Sequence, residues 1–167
     1  ENIKFNTFID IGSNLGLYVF TAHLKNPKTI TSIGVDYNSD YINVCNKISE
    51  RLNLNCKFES NLFKNITGEY DVVQMLGIIH HIFIRTEQNN SFKTIFKKIN
   101  SITKKYLIIE FPTENDPKAK KWTNIPSRNK IHYYNQENFL HEAKKYFSDI
   151  KLIDNTTIHR PIYLMVK

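Results

Sequence analysis

Cysteine is nearly absent from this chain. Cys45 and Cys56 are the only two among 167 residues, and neither stands in a C-x-x-C or His-flanked spacing, so no zinc site is legible. They read as buried thiols in a reducing compartment. No apolar run approaches the ~18 residues that a membrane-spanning helix needs, and no charged-then-apolar leader opens the chain. Those two gaps fit a soluble, cytoplasmic protein. Internal repeats and low-complexity linkers are missing as well. Acidic residues are the minority, 16 against 23 Lys and Arg, for a formal charge of +7. Such a surplus attracts anionic partners such as nucleic acid, phosphorylated glycan or a membrane surface. The lysines, however, are spread along the chain with no dense arginine-rich run, which favours solvated surface charge over a specific polyanion site. What is present is enough for a core: hydrophobic residues make up 41% and aromatics 13%. At this length a single domain is the expectation. The chain starts with Glu1 and places few residues before its first strand, as an excised domain would, so an upstream domain or partner is also expected.

Apolar periodicity sets the order of elements. Phe5 to Ile11 is a short apolar run ending in a glycine, as a buried strand would be, and Leu17 to Leu24 suits a helix. Thr29 to Asp36 repeats the strand signal. Ser39-Asp40 then offers an N-cap before Tyr41, Val44, Cys45, Ile48 and Leu52, which share one helical face and predict its buried side. Asn55 to Glu59 is a third strand, and Tyr70 to Leu76 a fourth, with room for only a short helix between them. Phe92, Ile95, Phe96, Ile99 and Ile102 recur at helical spacing before an apolar strand from Tyr106 to Phe111. This alternation argues for a parallel sheet covered on both faces, because each crossover must return the chain before the next parallel strand begins. The end of the chain breaks the rhythm. A helix from about Gln136 to Tyr146 would bury Phe139, Leu140 and Ala143. Asp149 to Ile153 and Ile162 to Val166 are joined too closely for a helix, so they should pair antiparallel. The polar stretch from Thr113 to Tyr134, with the lone Trp122, is the kind of long loop that carries function.

A strand that feeds a helix through a glycine turn lets backbone approach a ligand, and the helix N-terminus adds free N–H groups. The dinucleotide fingerprint would require glycines at 12, 14 and 17, but Asn14 and Leu17 stand at the last two. A nicotinamide or flavin site is therefore disfavoured. The second strand ends in Asp36-Tyr37, with Asp36 lying 36 − 16 = 20 residues beyond Gly16. A carboxylate at that place can accept hydrogen bonds from two ribose hydroxyls.

The segment Phe8-Ile9-Asp10-Ile11-Gly12-Ser13-Asn14-Leu15-Gly16, with its acidic-x-Gly-x-x-x-Gly core, resembles the first motif of class I S-adenosylmethionine-dependent methyltransferases. The resemblance implies a Rossmann-like three-layer α/β/α sandwich with a mostly parallel seven-stranded sheet and an antiparallel C-terminal strand. It implies S-adenosylmethionine as cofactor and S-adenosylhomocysteine as product. By resemblance Asp10 lies near the methionine ammonium, while Gly12, Ser13, Asn14 and Gly16 form the turn beside the cofactor. Asp36 takes the ribose, Tyr37 neighbours the adenine, Ser60 or Asn61 meets the adenine amino group, and Gly77 lies on the methionine side.

Methyl transfer needs alignment and exclusion of water more than covalent help. A hydroxyl acceptor also gains from a base. His80, His81 and Glu110 are the candidates, set against the plainer reading of a packed histidine pair. His132 and His159 show no ligand spacing, so no metal is expected. The runs Ile109-Glu110-Phe111-Pro112 to Asp116-Pro117, Tyr133 to Phe139, and His159 to Leu164 are similar to a methyltransferase branch associated with surface-polysaccharide and nodulation-type modification. The leading expectation is an O-directed methyltransferase acting on a glycan or small metabolite. An RNA methyltransferase, suggested by the charge, and a non-catalytic binding module of the same fold are the alternatives.

Overall fold

A computed structural model of the chain describes residues 4–25, 30–85, 91–113, 116, 133–156 and 160–167. Seven strands form one sheet in the order β3-β2-β1-β4-β5-β7-β6, with helices between them, as the alternation and the resemblance imply. The residues group into two units: one comprises residues 1–74 and 102–105, the other 75–101 and 106–167.

In the first unit, β1 (Thr7–Ile11), β2 (Thr31–Asp36), β3 (Cys56–Ser60) and β4 (Tyr70–Met75) run parallel. Ile9 faces Ile33 across β1 and β2, and Asp10 faces Gln74 across β1 and β4. Helices α1 (Leu17–Lys25) and α2 (Ser39–Arg51) carry the crossovers to β2 and β3. Successive right-handed crossovers in one direction lay both helices on the same face. A 3-10 turn, Phe63–Asn65, takes the place of a helix between β3 and β4, the short element expected there.

The α2 reading is corrected in two respects. The N-cap is Asn38, whose Oδ1 accepts the amides of Asp40 at 2.9 Å and Tyr41 at 3.4 Å. The buried residues are Ile42, Cys45 and Ser49, whereas Tyr41, Val44, Ile48 and Leu52 are exposed. Two apolar stripes lie side by side on this helix, and a polar residue settles which one packs. Ser49 Oγ donates toward the carbonyls of Leu54 (2.8 Å) and Cys56 (3.0 Å), and Asn46 Nδ2 donates to Phe58 O at 3.3 Å. These bonds tie α2 to β3 through its polar side. Both cysteines are buried and free, as expected.

The β4 start is anchored by Asp71. Its carboxylate accepts the Asn6 amide at 2.8 Å and pairs with Lys105 at 3.3 Å. Burial opposes its charge, but the Asn6 amide and Lys105 outweigh burial and hold its carboxyl below the ordinary value.

In the second unit, α3 (Ile79–Arg85) and α4 (Phe92–Ile102) precede β5 (Thr103–Glu110). This strand starts three residues before the expected Tyr106, because Lys104 and Lys105 stay exposed on the ladder. Helix α5 (Gln136–Ala143) is capped by Asn135, whose side chain accepts the Asn138 amide at 2.8 Å. It ends before the expected Tyr146 and buries Phe139 and Ala143, while Leu140 is only half-buried. Strand β7 (Pro161–Val166) runs antiparallel to both β5 and β6 (Asp149–Asn155), as the short connection requires. Phe111 stacks on Phe139 with centroids 4.3 Å apart and on Tyr134 at 5.1 Å, with Phe92 and Phe96 against Phe139. This aromatic cluster is the centre of the second unit. Among the described residues no helix is long and apolar enough to cross a membrane.

Candidate active site

The turn after β1 is held by backbone bonds to the end of β2. Gly12 adopts φ 79°, and the amides of Gly12 and Ser13 both donate to Val35 O, at 2.8 and 3.1 Å. Asn14, where the glycine pattern is broken, still takes the left-handed conformation at φ 49°. Asparagine tolerates that region better than other non-glycine residues, so the turn keeps its shape without a third glycine. Gly16 sits at φ 77°, and a Cβ there would lie 2.7 Å from the Phe58 ring. Both conditions require glycine.

Asp36, nearly fully buried, accepts the Asn14 amide on Oδ2 (3.0 Å) and the Asn38 amide on Oδ1 (2.9 Å). It thereby fastens the turn to the start of α2. A carboxylate offers about four acceptor positions, so two remain for a diol. The Asn61 amide donates to Asp36 O at 3.0 Å, and Ser60 Oγ donates to Tyr37 O at 3.4 Å. The ends of β1, β2 and β3 therefore gather Asp10, the Gly12–Gly16 turn, Asp36, Tyr37, Ser60 and Asn61. Tyr37 is 69% exposed, leaving its ring face open for stacking.

Asp10 is 3% exposed and receives one amide hydrogen bond, from Gln74 Nε2 at 3.3 Å. Burial raises its pKa to about 7; the Gln74 bond pulls it down, and the charge of Asp36 pushes it up further. A buried carboxyl poised in this way is suited to a cationic ligand, which would favour its ionised form. In the turn, Ser13 Oγ is buried and finds no hydrogen-bond partner among the described residues. One unit thus offers a carboxylate with acceptor positions left, a buried carboxyl and a buried hydroxyl.

The remaining candidates lie in the second unit. Gly77 has φ 64° and nothing within 4 Å of where a Cβ would stand. The rings of His80 and His81 are 3.9 Å apart on α3, with His80 buried and His81 half-buried. Glu110, at the end of β5, is buried and accepts from Arg160 Nη1 at 3.0 Å, while Arg160 Nε donates to the buried Asp116. Burial opposes the guanidinium's charge, but the two carboxylates hold its pKa above the ordinary value. Arg160 occupies the Glu110 carboxylate, so the histidine pair is the better candidate base. His132, His159, Trp122, Glu114, Asn115 and Pro117 lie outside the described residues. Among the described residues no cluster could hold a metal ion.

Phe58 is the neighbour that sequence reasoning does not find; for Gln74 a signal exists, since an amide inside the apolar run Val72 to Leu76 has to find a partner once buried.

No family model matches this sequence, and no curated protein matches it. Solved structures do. The bifunctional kinase-methyltransferase WbdD aligns with a TM-score of 0.74 at 18% identity, over 95% of this chain and 34% of that one. This chain thus spans about a third of WbdD's length. Magnesium protoporphyrin IX methyltransferase from Synechocystis PCC 6803, solved with bound S-adenosylmethionine, aligns with a TM-score of 0.63 at 14% identity, over 96% of this chain and 69% of that one. Coclaurine N-methyltransferase, bound to N-methylheliamine and S-adenosylhomocysteine, aligns over 65% of this chain and 32% of its own at a TM-score of 0.55 and 19% identity. The chain has the α/β fold of class I S-adenosylmethionine-dependent methyltransferases.

Proposed function

We propose that this chain binds S-adenosylmethionine and transfers its methyl group to an oxygen of a glycan or small metabolite. The observation that carries the reading is the turn itself: Asn14 in the left-handed conformation and Asp36 holding the Asn14 amide while keeping two acceptor positions. Asp36 would accept the two ribose hydroxyls, Tyr37 would cover the adenine, and Ser60 or Asn61 would meet its amino group. Asp10 would ionise against the methionine ammonium, with Ser13 beside it and Gly77 leaving room on the methionine side. The bound cofactor supplies a methyl group already activated on a sulfonium, so the protein aligns and desolvates rather than activates. For a hydroxyl acceptor, His80 or His81 would take the proton as the oxygen–carbon bond forms. Solved neighbours include a methyltransferase with S-adenosylmethionine or S-adenosylhomocysteine bound, which supports the choice of cofactor.

The test is calorimetric titration of the purified chain with S-adenosylmethionine and S-adenosylhomocysteine, followed by a labelled-methyl screen of glycan and metabolite acceptors. Asp36→Ala is expected to weaken cofactor binding by about 1–3 kcal/mol, from loss of charge-assisted hydrogen bonds. No heat at saturating concentration would sink the reading. Binding without transfer to any acceptor would favour the non-catalytic module.

A further inference from the structure

Six carboxyl side chains are buried among the described residues: Asp10, Asp36, Asp71, Glu110, Asp116 and Glu142. Four of them meet a cation. Asp71 pairs with Lys105, Glu142 with Lys145, and Glu110 and Asp116 share Arg160. Asp36 is served by the backbone amides of Asn14 and Asn38. Asp10 has neither kind of partner. Its one hydrogen-bond donor among the described residues is a neutral side chain: Gln74 Nε2 donates to Oδ1 at 3.3 Å.

The sheet fixes this pair. Asp10 and Gln74 stand opposite each other in the parallel register of β1 and β4, so their side chains leave the same face. Gln74 is buried as well, which removes water as a competing donor. The residue type decides what the pair can do. An apolar side chain here would leave Asp10 without a donor, and a buried carboxyl without one keeps its proton. A lysine or arginine would hold it ionised, as Lys105 does for Asp71, but would occupy the carboxylate and repel an incoming cation. A neutral amide lies between these extremes: it steadies the charge through Oδ1 and leaves Oδ2 with no partner among the described residues.

The charges around Asp10 bear on the same point. From β2, Asp36 opposes its ionisation, and burial does so more strongly, while the Gln74 bond favours it. From β4, Asp71 stands at the opposite end of the strand, paired with Lys105. From α1, the buried titratable group is His23, in the last turn and so at the far end of the crossover from Asp10.

We infer that Gln74 is a positioning residue for cofactor binding: its amide holds Asp10 Oδ1 and so presents an ionised, unoccupied carboxylate to the ammonium group of the ligand. This role rests on the proposed S-adenosylmethionine site and adds to it a residue that acts through Asp10. Without the amide, Asp10 binds its proton more tightly, and the ligand has to displace that proton before its ammonium is met. The loss of affinity is therefore largest below the titration of Asp10 and closes above it. A merely structural defect weakens binding equally at every pH.

Two measurements on the whole chain test this. In the first, the Asp10 carboxyl carbon of the ligand-free protein is followed by NMR from about pH 5 to about pH 9. Gln74→Met, similar in length but without the donor, is expected to move its midpoint upward. In the second, the same proteins are titrated calorimetrically with S-adenosylhomocysteine, which carries the same ammonium, across that pH range. The ligand's own amine titrates alike for both proteins and cancels in the ratio of their affinities. Gln74→Met is expected to bind about three- to tenfold more weakly at about pH 6, the worth of one hydrogen bond, with the gap narrowing as pH rises past about 7. In an Asp10→Asn background the same substitution should give a ratio that does not change with pH. Gln74→Leu repeats both measurements if far-UV circular dichroism shows Gln74→Met to be misfolded. An Asp10 midpoint that Gln74→Met leaves unmoved overturns the proposal, and so does a loss of affinity that is the same at every pH. A parent protein that binds no S-adenosylhomocysteine at any pH sinks the cofactor reading, and the proposal with it; a parent that binds while the variant's ratio stays flat sinks the proposal alone.

Discussion

Asp10 and Asp36 end neighbouring parallel strands, yet they are partnered differently. Asp36 receives two backbone amides. Asp10 receives one side-chain amide, and burial, with the charge of Asp36 adding to it, raises its pKa from 3.8 to about 7. The folded value lies above the unfolded one. Asp10's contribution is therefore fully present below about pH 4 and is lost as pH rises through about 7, a penalty on the order of 2–4 kcal/mol by pH 8. Urea melts of the ligand-free protein at pH 5, 6, 7 and 8 should show stability falling across this range by more than in Asp10→Asn. Equal slopes for the two proteins would mean that Asp10 titrates normally. The same proton should appear in ligand binding: S-adenosylmethionine affinity should increase as pH rises toward 8, with proton release measurable by calorimetry in buffers of different ionisation heat. Asn14 is the other residue-scale lesson. Its side chain departs from the glycine pattern, but its φ does not, which is why a motif with a missing glycine still marked the turn.

Phe58 explains why two elements must carry glycine. Its ring occupies the space beside Gly16 and Gly34, and a Cβ at Gly34 would stand 2.5 Å from it and 2.9 Å from Ser13 Oγ. Gly34→Ala is expected to cost roughly 1–3 kcal/mol by overpacking, and Phe58→Ala roughly 3–5 kcal/mol by the cavity it leaves. The double variant should cost clearly less than the sum, because one change makes room for the other. Additive losses in chemical denaturation would show that the ring does not determine Gly34. Arg160 does comparable work between the ends of β5 and β7. Arg160→Met removes the guanidinium that Glu110 and Asp116 share, at a cost of about 3–5 kcal/mol. Adding Glu110→Gln and Asp116→Asn should recover most of that loss; failure to recover would mean that Arg160 acts through its stem and not its charge. These contacts also show where sequence reading stops. Periodicity identifies α2 and its buried Cys45 but groups with it four residues that are exposed, because the bonds that set the packing come from Ser49 and Asn46. It started β5 late because exposed lysines on a strand look like a connection. Pairings such as Asp10 with Gln74 or Arg160 with Asp116 join residues 64 and 44 positions apart, and nothing local in the chain announces them.

For the molecule as a whole, the alternation of strands and helices led to a parallel sheet, and the short connection near the end to an antiparallel strand, because crossover length alone separates those cases. Charge is less easily read. The surplus of +7 is what an RNA methyltransferase would use, so its distribution decides. Lys105 pairs with Asp71, Lys145 with Glu142 and Lys151 with Asp149, so the uncompensated surplus lies on other residues. Among the described residues, other lysines stand on α1, α2, β3, α4 and β5, in each of the two units. A site that follows a phosphate backbone concentrates its cations and interleaves aromatic stacking platforms. The expected behaviour toward a labelled single-stranded RNA of roughly 20 nucleotides is therefore weak, sequence-indifferent binding that disappears between 50 and 200 mM salt, as counterion release by a few scattered contacts dictates. Binding that stays tight at about 200 mM salt and is competed by one sequence over others would require a built nucleic-acid surface and would move the acceptor from glycan or metabolite to RNA.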